Sequence, residues 1–331
     1  MLRVVRIFLS VAMLSALLSS CRPSVHRQTG FAMSTTLSLL VSSTREPDWP
    51  QLFDFAERSA WRFDHRRADG AVGALNRAGQ GGVEPEVLRI LETAQAVAAS
   101  SGGAFDPSIL PLTELWSFDS GGRVPAESEI VEARRRVGYA NITIDEQGRV
   151  SLPEGYGLDL GGIAKGAVVD LLADHLRERE YEDFLIDAGG DILVSGLKQG
   201  AAWRIAIRHP RDSQGVVGVL SLGGKDGRVA VVTSGDYERF FEQEGRRYHH
   251  ILDPRSGYPA DRLVSVTVIA PTCALADALS TAVFVLGPER GLELLAGFEN
   301  TEGLLIAEGE GRLDAYRSDG FPLELENLDL N

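Results

Sequence analysis

Residues 157–170 read GLDLGGIAKGAVVD. A short apolar strand end runs into Asp159, Gly161 and Gly162 turn the chain, and a helix begins with Lys165 in its first turn. Paired glycines take tight backbone angles and bring the chain close to a ligand. Ala164, Val168, Leu171, Leu172 and Leu176 give the helix an apolar stripe. A helix N-terminus behind such a turn suits an anion, because free N–H groups and the helix dipole both point at it. The GxxxxGK(S/T) spacing of a Walker loop is absent, as is a strict GxGxxG. Taken alone, the stretch is an ordinary strand–turn–helix corner.

Before it, residues 22–30 read as a tether, 31–43 as the first strand and 52–66 as a helix. Residues 70–82 hold too many glycines for a regular element. Pro85 at a first helical position and Gly102-Gly103 beyond the end predict a helix over 85–100. A second helix spans 126–137, and 141–152 form a hairpin around Gln147-Gly148. After it, 184–196 are two apolar runs about a glycine turn, and 203–208 and 215–222 alternate as strands do. Further strands are expected at 229–232, 263–270, 304–307 and 313–317, with helices at 275–286 and 289–298. The expected fold class is α+β (mixed α/β), with two closely packed lobes of mainly antiparallel sheet and helices. One domain is expected over 31–322, with a tail from 323 to 331.

The chain has 331 residues and a formal net charge of -14. That balance argues against nucleic acid, which wants a basic face. Arg3 and Arg6 precede the apolar run 7–20, which is too short for a comfortable membrane span and reads as a leader. It ends in Leu18-Ser19-Ser20-Cys21, which resembles a bacterial lipobox, with a plain signal peptide and an incidental Cys as the alternative. The expectation is a signal peptide over 1–20, lipidation at Cys21, and a lipoprotein facing the periplasm or exterior from the cell envelope. Cys273 is the other cysteine, so no structural disulfide is expected, and it reads as a small buried apolar residue.

Five stretches then stand in order: FAMSTT from Phe31, SGGAFDPS from Ser101, DLGGIAKG from Asp159, TSGDYERFF with HHILDPRSGYPA between Thr233 and Ala260, and ADALSTAVFVLG from Ala276. Together they resemble the ApbE-like family of FAD:protein FMN transferases, from about residue 31 to about 316. The resemblance implies cleavage of the FAD pyrophosphate, attachment of FMN through its phosphate to a Thr or Ser of an acceptor protein, and release of AMP. It implies magnesium as cofactor, FAD as substrate, and an acceptor that is a subunit of a redox membrane complex. The metal site falls on the carbonyl near Gly162 and the side chains of Asp277 and Thr281. Flavin contacts fall on Met33, Ala104, Phe105, Asp106, Asp159, Lys165 and His250, and Asp277, His250 and Lys165 carry the chemistry. Asp277 and Thr281 are four apart and share a helix face, which suits a hard cation that keeps several waters. Alone they would read as capping or packing residues, and His250 as a hydrogen-bonding strand residue. If that segment is a strand, His249 points the other way. Asp106 before Pro107 reads equally as a turn residue. The chain departs from the family at Arg66, near a usual Tyr, at Gly70 for Ser and at Ser108 for Thr. An FAD pyrophosphatase and a non-catalytic FAD-binding lipoprotein are the competing readings.

Overall fold

A computed structural model describes residues 23–116, 118, 122–309 and 311–324. The leader, Cys21 and the tail beyond Glu324 lie outside these residues. The strands are β1 (Ser24–Ala32), β2 (Thr35–Ser43), β3 (Gln80–Gly82), β4 (Thr143–Ile144), β5 (Arg149–Ser151), β6 (Phe184–Ala188), β7 (Asp191–Gly196), β8 (Trp203–Arg208), β9 (Val216–Leu222), β10 (Gly224–Gly235), β11 (Phe240–Gln243), β12 (Arg246–His249), β13 (Ser265–Ala270), β14 (Glu302–Glu308), β15 (Leu313–Arg317) and β16 (Leu323–Glu324). The helices are α1 (Trp49–Phe63), α2 (Ala71–Ala78), α3 (Pro85–Ser100), α4 (Leu110–Thr113), α5 (Glu127–Arg134), α6 (Ala164–Glu178), α7 (Cys273–Leu286) and α8 (Pro288–Leu295).

The frame is an eight-stranded antiparallel sheet in the order β1-β2-β6-β7-β10-β13-β14-β15. Helices cover one face, where Leu37, Leu39, Phe184 and Ile186 pack with Val168 and Leu172 of α6 and Leu279 and Val283 of α7. A three-stranded sheet, β16-β9-β8, covers the other. Trp203, Ile205 and Ile207 alternate inward along β8 and meet Val194, Val231, Ile269 and Leu304. Because both faces are covered, all six residues of β13 are buried. The fold is the expected α+β class of mainly antiparallel sheet with helices. Twelve of the fourteen residues of α7 are buried, and a helix apolar all round lies in a core.

Several expectations are corrected. The stretch read as a tether is mostly β1, and residues 31–43 span the end of β1 and all of β2. The two strands join at Met33 and Ser34, both left-handed (φ 55° and 59°). β1 is largely exposed at the sheet edge, and its polar SVHRQTG lacks the pattern that marks a strand. Residues 71–78 form a helix, with Gly70 at its N-cap and Gly79, at φ 70°, at its C-cap. Inside it, a Cβ on Gly73 would stand 2.1 Å from the Arg67 carbonyl oxygen, so the glycine permits a close turn there. The residues directly before Asp159 form no strand, only an isolated bridge between Gly157 and Ile109. Helix α7 starts at Cys273, two residues before the expected 275, because the Thr272 hydroxyl accepts from the Leu275 N–H at 3.3 Å.

Register places the site. The β1–β2 turn, the Gly189-Gly190 turn between β6 and β7, and the end of β10 meet at one sheet end. Leu37 pairs with Ala188, Ala188 with Asp191, and Asp191 with Val232.

Candidate functional site

Two helix N-termini cross beneath that sheet end, and each is capped by the other helix. Asp277 of α7 accepts the Gly166 N–H of α6 at 3.1 Å. Asp170 of α6 accepts the Cys273 and Ala274 N–H groups of α7, both at 2.9 Å. The helices approach this closely because residue 166 is glycine: a Cβ there would lie 2.3 Å from the Cys273 carbonyl oxygen. Cys273 is fully buried in this crossing, the small apolar residue expected.

Lys165, in the first turn of α6, is ion-paired with Asp191 at the start of β7. Asp191 is 1% exposed, whereas the Lys165 side chain keeps 35% of its surface open. Burial pulls the Lys165 ammonium down, but the Asp191 and Asp277 charges overcome it and hold it above its ordinary value. The carboxyl of Asp191 is pushed up by burial and by the adjacent Asp277 charge. Its Oδ2 is buried and has no hydrogen-bond partner. Sequence reading missed Asp191; its signal is the DAGGD turn, where an acid follows paired glycines.

Gly162 sits against Thr281, one turn beyond Asp277: a Cβ on Gly162 would be 3.1 Å from Thr281 Oγ1 and 3.2 Å from Phe105 Cε2. The structure therefore brings Gly162, Asp277 and Thr281 to one place. Among the described residues no three His, Cys, Asp or Glu side chains group as a metal site. The donors here are hard oxygens instead: one carboxylate, one hydroxyl and a main-chain carbonyl. They fit a small hard cation that keeps several waters and binds phosphate oxygens.

The glycine turn is braced from three sides. Asp159 Oδ1 accepts the Gly161 N–H at 2.9 Å, and Oδ2 accepts the Thr113 hydroxyl at 2.8 Å. His65 Nδ1 lies 3.6 Å from Asp159 Oδ1. Asn76 holds both main-chain groups of Leu158, at 2.8 and 2.7 Å. Thr113, His65 and this role of Asn76 were not legible, because they are 46 or more residues from their partners. Ala104 and Phe105 are buried beside the turn. The Asp106 carboxylate accepts from Ser108 N–H, Ser108 Oγ and Tyr139 N–H at 2.7–2.9 Å, which ties its loop to the segment after α5. Burial raises its pKa against those bonds. Met33 enters from the β1–β2 turn, where its N–H donates to Glu57 at 3.0 Å.

His249 and His250 differ in what their rings are free to do. His249 Nε2 donates to the Ala260 carbonyl at 2.7 Å and its Nδ1 accepts the Ile251 N–H, so both nitrogens are engaged. His250 Nδ1 donates to the Arg239 carbonyl at 3.3 Å, which leaves Nε2 as the lone-pair nitrogen. Burial first, then the Arg239 and His249 charges, pull His250 down to about 3. Lys165 is among the charges acting on it, so the two share one neighbourhood. Arg66 is paired with Asp64, at 2.9 Å. A cleft of about 540 Å³ along α2 and β3 contains none of the residues expected to bind flavin or metal.

This arrangement resembles known proteins across nearly its whole length. The family model described as the ApbE family matches residues 33–305. A relative from Treponema pallidum named FAD:protein FMN transferase is 37% identical over 77% of this chain and 76% of its own. The crystal structure of the ApbE protein from Thermotoga maritima aligns with a TM-score of 0.79 at 35% identity, over 89% of this chain and 97% of that one. The flavin transferase ApbE from Vibrio cholerae aligns at 0.78 and 31% identity, over 90% and 98%.

Proposed function

The chain belongs to the ApbE family, and from that premise we infer that it is an FAD:protein FMN transferase working with a divalent cation, magnesium, at Gly162, Asp277 and Thr281. The observation that carries this reading is a buried carboxylate with a lysine and a hydroxyl beside it, at a glycine turn feeding a helix N-terminus. Such a corner receives a pyrophosphate. Gly162 brings main chain to the phosphates and Lys165 adds a point charge, whereas the Gly161 and Gly166 N–H groups are already donated to Asp159 and Asp277. When bound, magnesium offsets charge developing on the phosphate oxygens.

The hydroxyl oxygen of an acceptor Thr or Ser forms a new bond to the FMN phosphorus, and the bond from that phosphorus to the AMP oxygen breaks. His250 is neutral at pH 7, and its Nε2 takes the hydroxyl proton. Lys165 holds the phosphate oxygens in line and stays charged throughout. Ala104, Phe105, Asp106, Asp159 and Met33 form the flavin side. Asp106 contributes through its main chain, because its carboxylate is occupied by Ser108 and by the Tyr139 N–H.

The compartment belongs to the same proposal. Cys21 carries the lipid and the chain works from the envelope on an acceptor in a redox membrane complex, a reading supported by the leader and Leu18-Ser19-Ser20-Cys21. The test is FAD and magnesium with and without a candidate acceptor, reading AMP by chromatography and covalent flavin by gel fluorescence. AMP matched by flavin on the acceptor is expected. AMP formed equally without acceptor, with none of the flavin becoming covalent, would make the enzyme a pyrophosphatase.

A further inference from the structure

Two carboxyl groups and one ammonium are packed at the crossing of α6 and α7, and their pairing is lopsided. Lys165 Nζ is hydrogen-bonded to Asp191 Oδ1. Asp277, the other carboxylate acting on Lys165, accepts instead from the Gly166 N–H through Oδ2. The Asp277 charge acts on Asp191 as it does on Lys165. An ammonium at this spot has two possible partners, and the carboxylate it takes is lost to a cation. Asp191 is almost wholly buried on a sheet strand, with its position fixed by the Ala188 and Val232 pairings on either side. Its Oδ2 has no partner, so the group is not held there by a saturated hydrogen-bond network.

We propose that Asp191 is a positioning residue that holds Lys165 off Asp277, keeping the metal carboxylate open to a divalent cation while aiming the ammonium at the phosphates. This rests on the metal reading of Asp277. Without Asp191 the lysine swings onto Asp277 and competes with the cation. The consequence is specific: substitution of Asp191 weakens metal binding only while residue 165 is a lysine.

The test is titration of the full chain with Mn2+ alone, in the absence of FAD, read by calorimetry, on the wild type, Asp191→Asn, Lys165→Met, the double variant and Asp277→Asn. Asp191→Asn should weaken Mn2+ binding by roughly tenfold or more. The double variant should return to within about threefold of Lys165→Met, since no ammonium remains to compete. Near-ultraviolet circular dichroism controls for folding. If Asp191→Asn does not fold, Lys165→Met and the double variant still test the proposal, because a double variant weaker than Lys165→Met by roughly tenfold or more would overturn it. An Asp191→Asn protein with wild-type affinity would overturn the proposal, as would a double variant as weak as Asp191→Asn. Wild-type Mn2+ binding unaffected by Asp277→Asn would overturn the metal reading, and this proposal with it.

Discussion

His249 and His250 are adjacent, yet one supports a loop and the other is left with a proton acceptor. His249 spends both ring nitrogens on Ala260 and Ile251, whereas His250 keeps Nε2. His250→Gln keeps a polar side chain without a basic nitrogen, and FMN transfer should fall by roughly a hundredfold, measured as covalent flavin per minute. Stability carries a second signature. The imidazole titrates near 6.5 when free and about 3 in the fold. Between those values the unfolded chain binds a proton that the folded chain refuses, so this group's stabilisation is lost as pH falls through that window. Urea unfolding of His250→Gln should show a shallower loss of stability than wild type from about pH 6.5 to 4. Parallel slopes would contradict an imidazole held neutral by the fold. Strand alternation does not separate the two histidines, because β12 ends at His249; the family resemblance singled out His250. Neither could reveal Asp191, whose importance comes from Lys165, 26 residues away, and from Asp277 on another helix.

At the level of elements, α6 and α7 are locked by exchanged caps. Gly166 is the point of closest approach, with no room for a Cβ against the Cys273 carbonyl. Gly166→Ala should destabilise the fold by about 3 kcal/mol through forced separation of the helices, read as a lowered melting temperature. A melting temperature equal to wild type would mean the helices have slack there. Asn76 ties α2 to the glycine turn with two hydrogen bonds to Leu158. Asn76→Ala should cost about 2 kcal/mol and raise the KM for FAD more than it lowers kcat, since it loosens the turn and leaves the reacting groups in place. An unchanged KM would separate α2 from the site. Most elements were legible because helix 85–100 and strands such as 203–208 carry clean periodicity. Helix α2 was not, because glycines there serve packing and capping, and composition alone reads them as breakers. Strand β1 was not, because an exposed edge strand has no apolar alternation to detect.

For the whole molecule, one sheet shared by a helical layer and a small second sheet brings distant segments to one end. Residues from the β1–β2 turn, the glycine turn ahead of α6 and α7 belong to motifs far apart in the chain, which explains why the site was recognised from five ordered motifs and not from one. Because β1 begins at Ser24, three residues after Cys21, the lipid proposal leaves almost no free tether between anchor and domain. Cys21→Ser should release the protein from membranes or leave its leader uncut, by fractionation and mass spectrometry of the N-terminus; unchanged retention with a lipid-bearing N-terminus would refute the anchor. The central claim is that a cation held at Asp277 drives FAD cleavage. Asp277→Asn is the incisive variant, because its amide oxygen can still accept the Gly166 N–H and keep the α6 cap, while its negative charge is gone. The measurement is AMP release from FAD across a magnesium series, with circular dichroism as the folding control. The account predicts a folded protein whose turnover falls by at least roughly a hundredfold. Near-normal, magnesium-dependent turnover in folded Asp277→Asn would contradict it.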